Sequence, residues 1–251
     1  MGLMLPLTRI LSFISIAPLF SHNSIPQPYK VGMGVLLTLI VMPTLTDLPT
    51  IDILSLSGVL VLAQQIIIGV AIGLMMQIIF SAIELAGQIT GMSMGLGFAS
   101  FYDPQTHANT VATSQLYNLL GLLVFMAMNG HLLLISALME SFQTLPISMN
   151  AMNLDGFKIA LWGSKVFSVG LHLSLPIIAA MLITNMALGV LTRSAPQLNI
   201  FGIGFPITIG VGYITVALVL PLMTQPYIHF IEEGISAAQL HTVTRTNSKL
   251  H

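Results

Sequence analysis

The feature that most limits what this chain can fold into is where charge is missing. Four uninterrupted runs without Asp, Glu, Lys or Arg cover 53–83, 104–139, 166–192 and 194–231, with lengths of 31, 36, 27 and 38 residues. Charged residues make up 6% of the chain, against about 25% in a soluble globular domain. A charge at the centre of a membrane helix costs about 2.5–3.5 kcal/mol, so chains that live in hydrocarbon lose charges from their spanning segments. With 55% hydrophobic residues and a mean hydropathy of +0.93, the sequence is that of an integral membrane protein or a subunit of a membrane-embedded assembly.

The apolar segments run from Leu3 almost to Ile231 without a linker, which predicts a single domain. Residues 232–251 read as a polar tail. The net charge of −1 gives no basis for binding nucleic acid or for a polybasic lipid contact. The chain has no cysteine, which excludes disulfides and any thiolate ligand or nucleophile. Arg9 lies inside the first apolar stretch, 3–20, and no small-residue cleavage site follows. That stretch therefore reads as a first structural helix and not as a signal peptide. The seven Lys and Arg residues are scattered singly, so the positive-inside rule gives no orientation.

Turn residues divide the sequence into six blocks: 3–20, 31–46, one from about Asp52 to 97, about 108–146, 157–192 and 199–230. The third block would make a helix of about 65–70 Å, more than twice a hydrocarbon core of about 30 Å. Either it folds back, with Gly69 and Gly73 as bend points, or it stands in an assembly taller than a bilayer. In its second half Gln77, Ser81, Glu84 and Gln88 are spaced 4-3-4 and share one stripe. Gly87, Gly91 and Gly95 recur every fourth residue and open a groove for another helix. A stripe of amides and one carboxylate faces protein or water, not lipid. Packing inside the chain, a partner subunit and a lumen all fit it.

Catalytic signals are weak. Gly91-Met-Ser93-Met-Gly95 matches the GxSxG elbow, but that elbow needs a preceding strand, and here the motif lies in a helical glycine pattern. The histidines form no tight ligand cluster, and Asp103 and His107 suit a helix cap better than a metal. No cofactor or metal site is expected. His131 and His172 are the ionisable residues inside apolar blocks. Two loops are more unusual. Gly95-Leu-Gly97-Phe98-Ala99-Ser100-Phe101-Tyr102-Asp103-Pro104 places aromatic rings between glycines and an Asp-Pro turn, suited to plugging a hole or to a plain helix connection. From Arg193 to Gly210, Pro196, Asn199, Gly202, Gly204 and Pro206 are set so densely that a regular spanning helix is not expected. This predicts a functional or assembly surface, with a tight turn between hairpin helices as the plain alternative.

The string RSAPQLNIFGIGFPITIGVG at 193–212 resembles the signature of the R component of the flagellar type III export gate, the FliR family, and its injectisome counterparts. SIAPLFS at 15–21, GLGFASFYDPQ at 95–105 and NGHLLLISALMESFQTLPI at 129–147 resemble the same family in the same order. The first apolar block starts earlier than is usual in that family. The resemblance implies an all-α fold of membrane-associated helical hairpins in a helical pore assembly, with a P-like part over about 1–150 and a Q-like hairpin over about 151–231. It implies partners, namely the P and Q components of the gate, the B component that wraps the pore and the A component below it. It implies the bacterial inner membrane and the flagellar basal body, partly on the periplasmic side, and passage of unfolded flagellar proteins. Carried over by position, the loop 98–104 would plug the pore with Phe98, Phe101 and Tyr102, hinged at Gly95 and Gly97. Arg193, Pro196, Asn199, Gly202, Gly204 and Pro206 would shape the hairpin turn and its subunit contacts. The rival readings are a small secondary transporter with helices broken at Pro176 and Pro206 and, more distantly, a membrane hydrolase.

Overall fold

The structure, a computed structural model, describes residues 3–22, 24–45, 55–98, 112–148, 156–195 and 200–243. Among them the secondary structure is helical throughout, so the chain is all-α. The helices are α1 (Met4–Ile16), α2 (Gln27–Val41), α3 (Leu56–Ser93), α4 (Ala112–Ala127), α5 (Gly130–Thr144), α6 (Gly156–Trp162), α7 (Lys165–Ser194) and α8 (Ile200–Val243). Those over Leu56–Ser93, Gly156–Ser194 and Gly204–Gln239 are long and apolar enough to cross a membrane, and the pair α4–α5, bent by 68°, would make a fourth crossing.

Local chemistry explains the boundaries. Pro26 precedes α2 and Pro28 sits in its first turn, where a missing N–H costs nothing. Ser55 starts α3 by accepting the Gly58 N–H on its hydroxyl at 3.1 Å, as N-cap residues do. Block four, one segment in the sequence, breaks at Asn129, which takes the left-handed conformation (φ 56°, ψ 29°) that Asn tolerates.

By packing, the chain forms two compact units. The first comprises Met1–Ile79, Phe125–Gly163 and Ile231–His251, and the second Phe80–Val124 and Ser164–Phe230. In the first unit, Ile10, Phe13 and Ile14 of α1 and Ile68, Met75 and Met76 of α3 are almost wholly buried. Gly69 and Gly73 are not bends. α3 is one unbroken helix of 38 residues, and these glycines let α1 lie against it. A Cβ on Gly73 would stand 3.1 Å from the Ala17 nitrogen and 3.2 Å from the Phe13 carbonyl, and one on Gly69 would run into the Arg9 carbonyl. Of the two alternatives the fold-back therefore does not occur, and α3 is about 57 Å long. In the second unit Gly87 takes the start of α4, Gly170 of α7 meets Leu85 and Ala82, and Gly212 of α8 meets Met94.

Within 193–210 the helix stops at Ser194 and resumes at Ile200, with 196–199 outside the described residues; what differs from the expectation is that Pro206 lies inside a helix. α7 carries through Pro176 to Ser194, and α8 runs 44 residues with Pro206, Pro221 and Pro226 inside it. The reason is the solvent. An interior proline costs about 3 kcal/mol, but a loop in an apolar setting leaves several backbone groups unsatisfied at several kcal/mol each. Continuing the helix is cheaper. α8 also extends beyond Glu232, where the polar tail was expected to begin, and Ile235, Ala237 and Ala238 are buried there.

Candidate conduit face and gate loop

α3 is covered on most of its circumference and open along one stripe. In its first half the stripe is mostly apolar: Leu56 is 79% exposed and Leu60 63%, with Val59, Ile66 and Ile67 also exposed and Gln64 half-buried beside them. Continuing in steps of three and four through the half-buried Val70 and Leu74, the same stripe then becomes polar. Gln77, Ser81, Glu84 and Gln88 are all half-buried, whereas Ile79, Ile83, Ala86 and Thr90 on the covered side are fully buried. Among the described residues the four polar side chains make no hydrogen bond or ion pair. The stripe ends at Met92, 68% exposed.

The glycines of the stripe's helix face elsewhere. A Cβ on Gly87 would stand 2.5 Å from Ser114 Cα and 2.8 Å from the Thr113 carbonyl. Thr113 Oγ1 donates to the Gly87 carbonyl at 2.8 Å, and Ser114 Oγ to the Glu84 carbonyl at 3.2 Å. Gly91 is buried. The sequence read groove and stripe as neighbours; the fold uses the groove for α4 and leaves the stripe open. Lipid is a poor neighbour for it, since one central carboxylate costs about 2.5–3.5 kcal/mol in hydrocarbon.

The chain leaves α3 through Gly95, whose φ of +87° lies where L-residues with side chains are strained, with the Phe205 ring 3.4 Å from where a Cβ would be. Gly97 lies in the short 3₁₀ turn Leu96–Phe98 and does not have a positive φ. Ala99, Ser100, Phe101, Tyr102, Asp103, Pro104 and the side chain of Phe98 fall outside the described residues, as does His107. So do Pro196 and Asn199. Gly202 lies in the first turn of α8, Arg193 is exposed at the end of α7, Gly204 is buried and Pro206 exposed.

Ser93 closes α3, and its hydroxyl donates to the Thr90 carbonyl at 2.7 Å. No strand turns into it, so the GxSxG elbow geometry is missing. Among the described residues no three His, Asp or Glu side chains gather as metal ligands. His172 is exposed, edge-on to Phe230 at 5.7 Å.

The sequence reading missed a polar knot in the first unit. Arg9 is fully buried. Its Nε donates to Gln65 Oε1 at 2.8 Å, Nη1 to the Ser141 carbonyl at 2.8 Å and to its hydroxyl at 3.2 Å, and Nη2 to the Leu145 carbonyl at 2.8 Å. The guanidinium carbon lies 4.3 Å from the centre of the Phe142 ring. The cation thus caps the C-terminal carbonyls of α5, where the helix dipole favours positive charge, and the aromatic face adds a cation–π contact. Gln65 Nε2 is buried with no hydrogen-bond partner among the described residues. A lone Arg and a lone Gln in separate apolar runs were the available signal.

Residues 1–234 match the family described as bacterial export proteins, family 1. The chain is 47% identical over 229 residues to the flagellar biosynthetic protein FliR of Pectobacterium carotovorum subsp. carotovorum, covering 91% of this chain and 87% of that one. It is 42% identical over 231 residues to the protein of the same name from Escherichia coli (strain K12), again covering 91% and 87%. It is 29% identical over 210 residues to that of Bacillus subtilis (strain 168), covering 82% and 81%. Together with the spanning helices, these matches show that the chain belongs to the FliR family of bacterial export proteins, membrane components of the flagellar export apparatus.

Proposed function

We propose that this chain forms, with the P and Q components of the flagellar export gate, the channel through which unfolded flagellar proteins leave the cell. The segment of about 1–150 acts as the P-like part and about 151–231 as the Q-like hairpin, in an assembly at the inner membrane that stands partly on its periplasmic side. The loop Phe98–Pro104 stops the closed channel with Phe98, Phe101 and Tyr102, and Gly95 with Gly97 lets it swing aside. The B component wraps the closed pore and the A component lies below it.

The observation that carries the reading is how little of α8 the chain covers for itself: only 11% of its most apolar window is buried. A rod left so bare suits a subunit whose neighbours supply the rest of the wall.

The test is removal of 98–104 followed by measurement of ion leak through the assembled gate. The leak should rise sharply, and an unchanged leak would reject the plug. For the assembly turn, Asn199→Ala and Gly204→Leu should weaken co-purification with the P and Q components. Normal recovery would remove these residues from the interface.

A further inference from the structure

We propose that α3 leaves the hydrocarbon layer near Gln77, that its face from Gln77 to Gln88 borders water inside the conduit, and that Glu84 makes the open conduit favour cations. The inference rests on the conduit reading above and adds to it the position of the wet surface and the side chain that sets its charge preference.

Three observations converge. The first is length. The apolar part of the open stripe, Leu56 to Leu74, is about 28 Å of helix, close to one hydrocarbon thickness of about 30 Å. The remaining turns, to Ser93, add about 28 Å beyond it. A single helix thus has one part dressed for lipid and one part dressed for something else.

The second is placement. From Gln77 onward Gln77, Ser81, Glu84 and Gln88 share the sector left uncovered with Leu85, Ile89 and Met92, while the covered sectors are filled by contacts at Gly87, Gly170 and Gly212. Glu84 is the only charged residue in α3. In the second unit the cations of α7 stand at its two ends, Lys165 and Arg193, and Glu84 has no ion pair among the described residues. Among the described residues its charge is therefore not neutralised by an ion pair.

The third is continuity. The polar stripe ends at Met92, one turn before Gly95, where the chain turns into the proposed plug. In a narrow aqueous path with low-dielectric walls a single carboxylate focuses the potential and favours cations over anions.

Because the chain contains no cysteine, single cysteines report one position each. Ser81→Cys, Gln88→Cys and Ala63→Cys would be placed in the full gate complex in sheared-open membranes and treated with a charged, membrane-impermeant maleimide. Ala63, exposed on the apolar part of the stripe, is the lipid-facing reference. Labelling of Ser81→Cys and Gln88→Cys should be at least ten-fold faster than of Ala63→Cys. Equal protection of all three would mean that a neighbouring subunit or lipid covers the stripe. Equal labelling would remove the boundary at Gln77. Either result overturns the inference.

Charge preference is read separately, in planar bilayers holding the complex with 98–104 removed, under a KCl gradient. Glu84→Gln should lower the potassium-to-chloride permeability ratio several-fold, and Glu84→Lys should turn it toward chloride. An unchanged ratio in both refutes the role of Glu84 while leaving the conduit intact. A loop-deleted complex that carries no current refutes the conduit itself, a failure that the labelling experiment distinguishes from a dry stripe.

Discussion

Replacing Arg9 by Met removes a fully buried cation and should nevertheless destabilise the protein. Two effects oppose each other. Burying an ion without a carboxylate partner is costly, and apolar replacements of buried ions are often neutral or better. Against that, Arg9 satisfies acceptors that have few alternatives. After Arg9→Met the Gln65 side chain has no partner at either end among the described residues, because its Nε2 has none already. The Leu145 carbonyl also loses the Arg9 donor, while the Ser141 carbonyl keeps the Leu145 N–H at 2.9 Å. Two buried acceptors left open cost about 1–3 kcal/mol each, and the stacked Phe142 contact about 1 kcal/mol more. After credit for the desolvation saved, the expected loss is about 2–4 kcal/mol. For a chain of this size that corresponds to a midpoint lower by roughly 4–16 °C. The assay is the fraction of detergent-solubilised protein that stays monodisperse after heating, at one fixed scan rate. Gln65→Glu supplies the complementary change: it removes the orphaned amide donor and places a carboxylate beside the Arg9 Nε, so it should raise the midpoint. The double variant should be less stable than the sum of the two single effects, since it buries an unpaired carboxylate. A midpoint for Arg9→Met at or above that of the parent, or a lower midpoint for Gln65→Glu, would show that the knot is not held by these bonds.

Gly87→Ala should cost about 1–3 kcal/mol, because the new methyl meets backbone of α4 at 2.5 Å, whereas Gly189→Ala meets nothing within 4 Å and should be neutral or slightly stabilising; the same heating assay ranks the two. Asn129→Val should cost about 1–2 kcal/mol, since a β-branched residue resists the φ of 56° at the α4–α5 bend, while Asn129→Gly should leave the melting midpoint within about 2 °C. Ser93→Ala removes one bond to the Thr90 carbonyl and should leave flagellar secretion unchanged; abolished secretion by a normally folded variant would revive the serine as a nucleophile.

What the sequence made legible was whatever depends on neighbours along the chain. The absence of charge and proline from 53–83 marks α3, and the 4-3-4 spacing from Gln77 places four polar groups on one side of it because a helix fixes that geometry locally. Glycine was ambiguous, since the same missing side chain permits a bend or a close contact; only the position of α1 shows that Gly69 and Gly73 serve contact. Proline misled at Pro206, which lies inside α8, because an apolar setting penalises the broken alternative more than the lost helical bond. The Asn129 turn carries no stronger signal than an Asn-Gly pair inside an apolar run. The Arg9 knot was out of reach, as its partners lie 56, 132 and 136 residues away. Spacing along the chain says nothing about them.

The fold treats its polar residues in two ways, and the contrast bears on the conduit more than any one contact does. Among the described residues nine polar or charged ones are buried, and each has at least one hydrogen bond: Arg9 with Gln65 and Ser141, Lys30 to the Ser21 carbonyl, Thr38 to Gly34, Thr90 with Tyr117, Thr113 to Gly87, Ser114 to Glu84 and Ser174 to Leu171. Most polar groups taken into the interior are thus provided for there, as the cost of an unmade bond requires, with Gln65 Nε2 and His131 Nδ1 the buried atoms left without a partner among the described residues. Gln77, Ser81, Glu84 and Gln88 are neither taken in nor provided for among the described residues. Leftovers of internal packing would be scattered around the helix and partly satisfied by it. These four are aligned, half-buried and unpartnered, on the side of α3 that the chain leaves open. Among the described residues they have no counterpart, and the mostly apolar length that precedes them makes water a better counterpart than lipid.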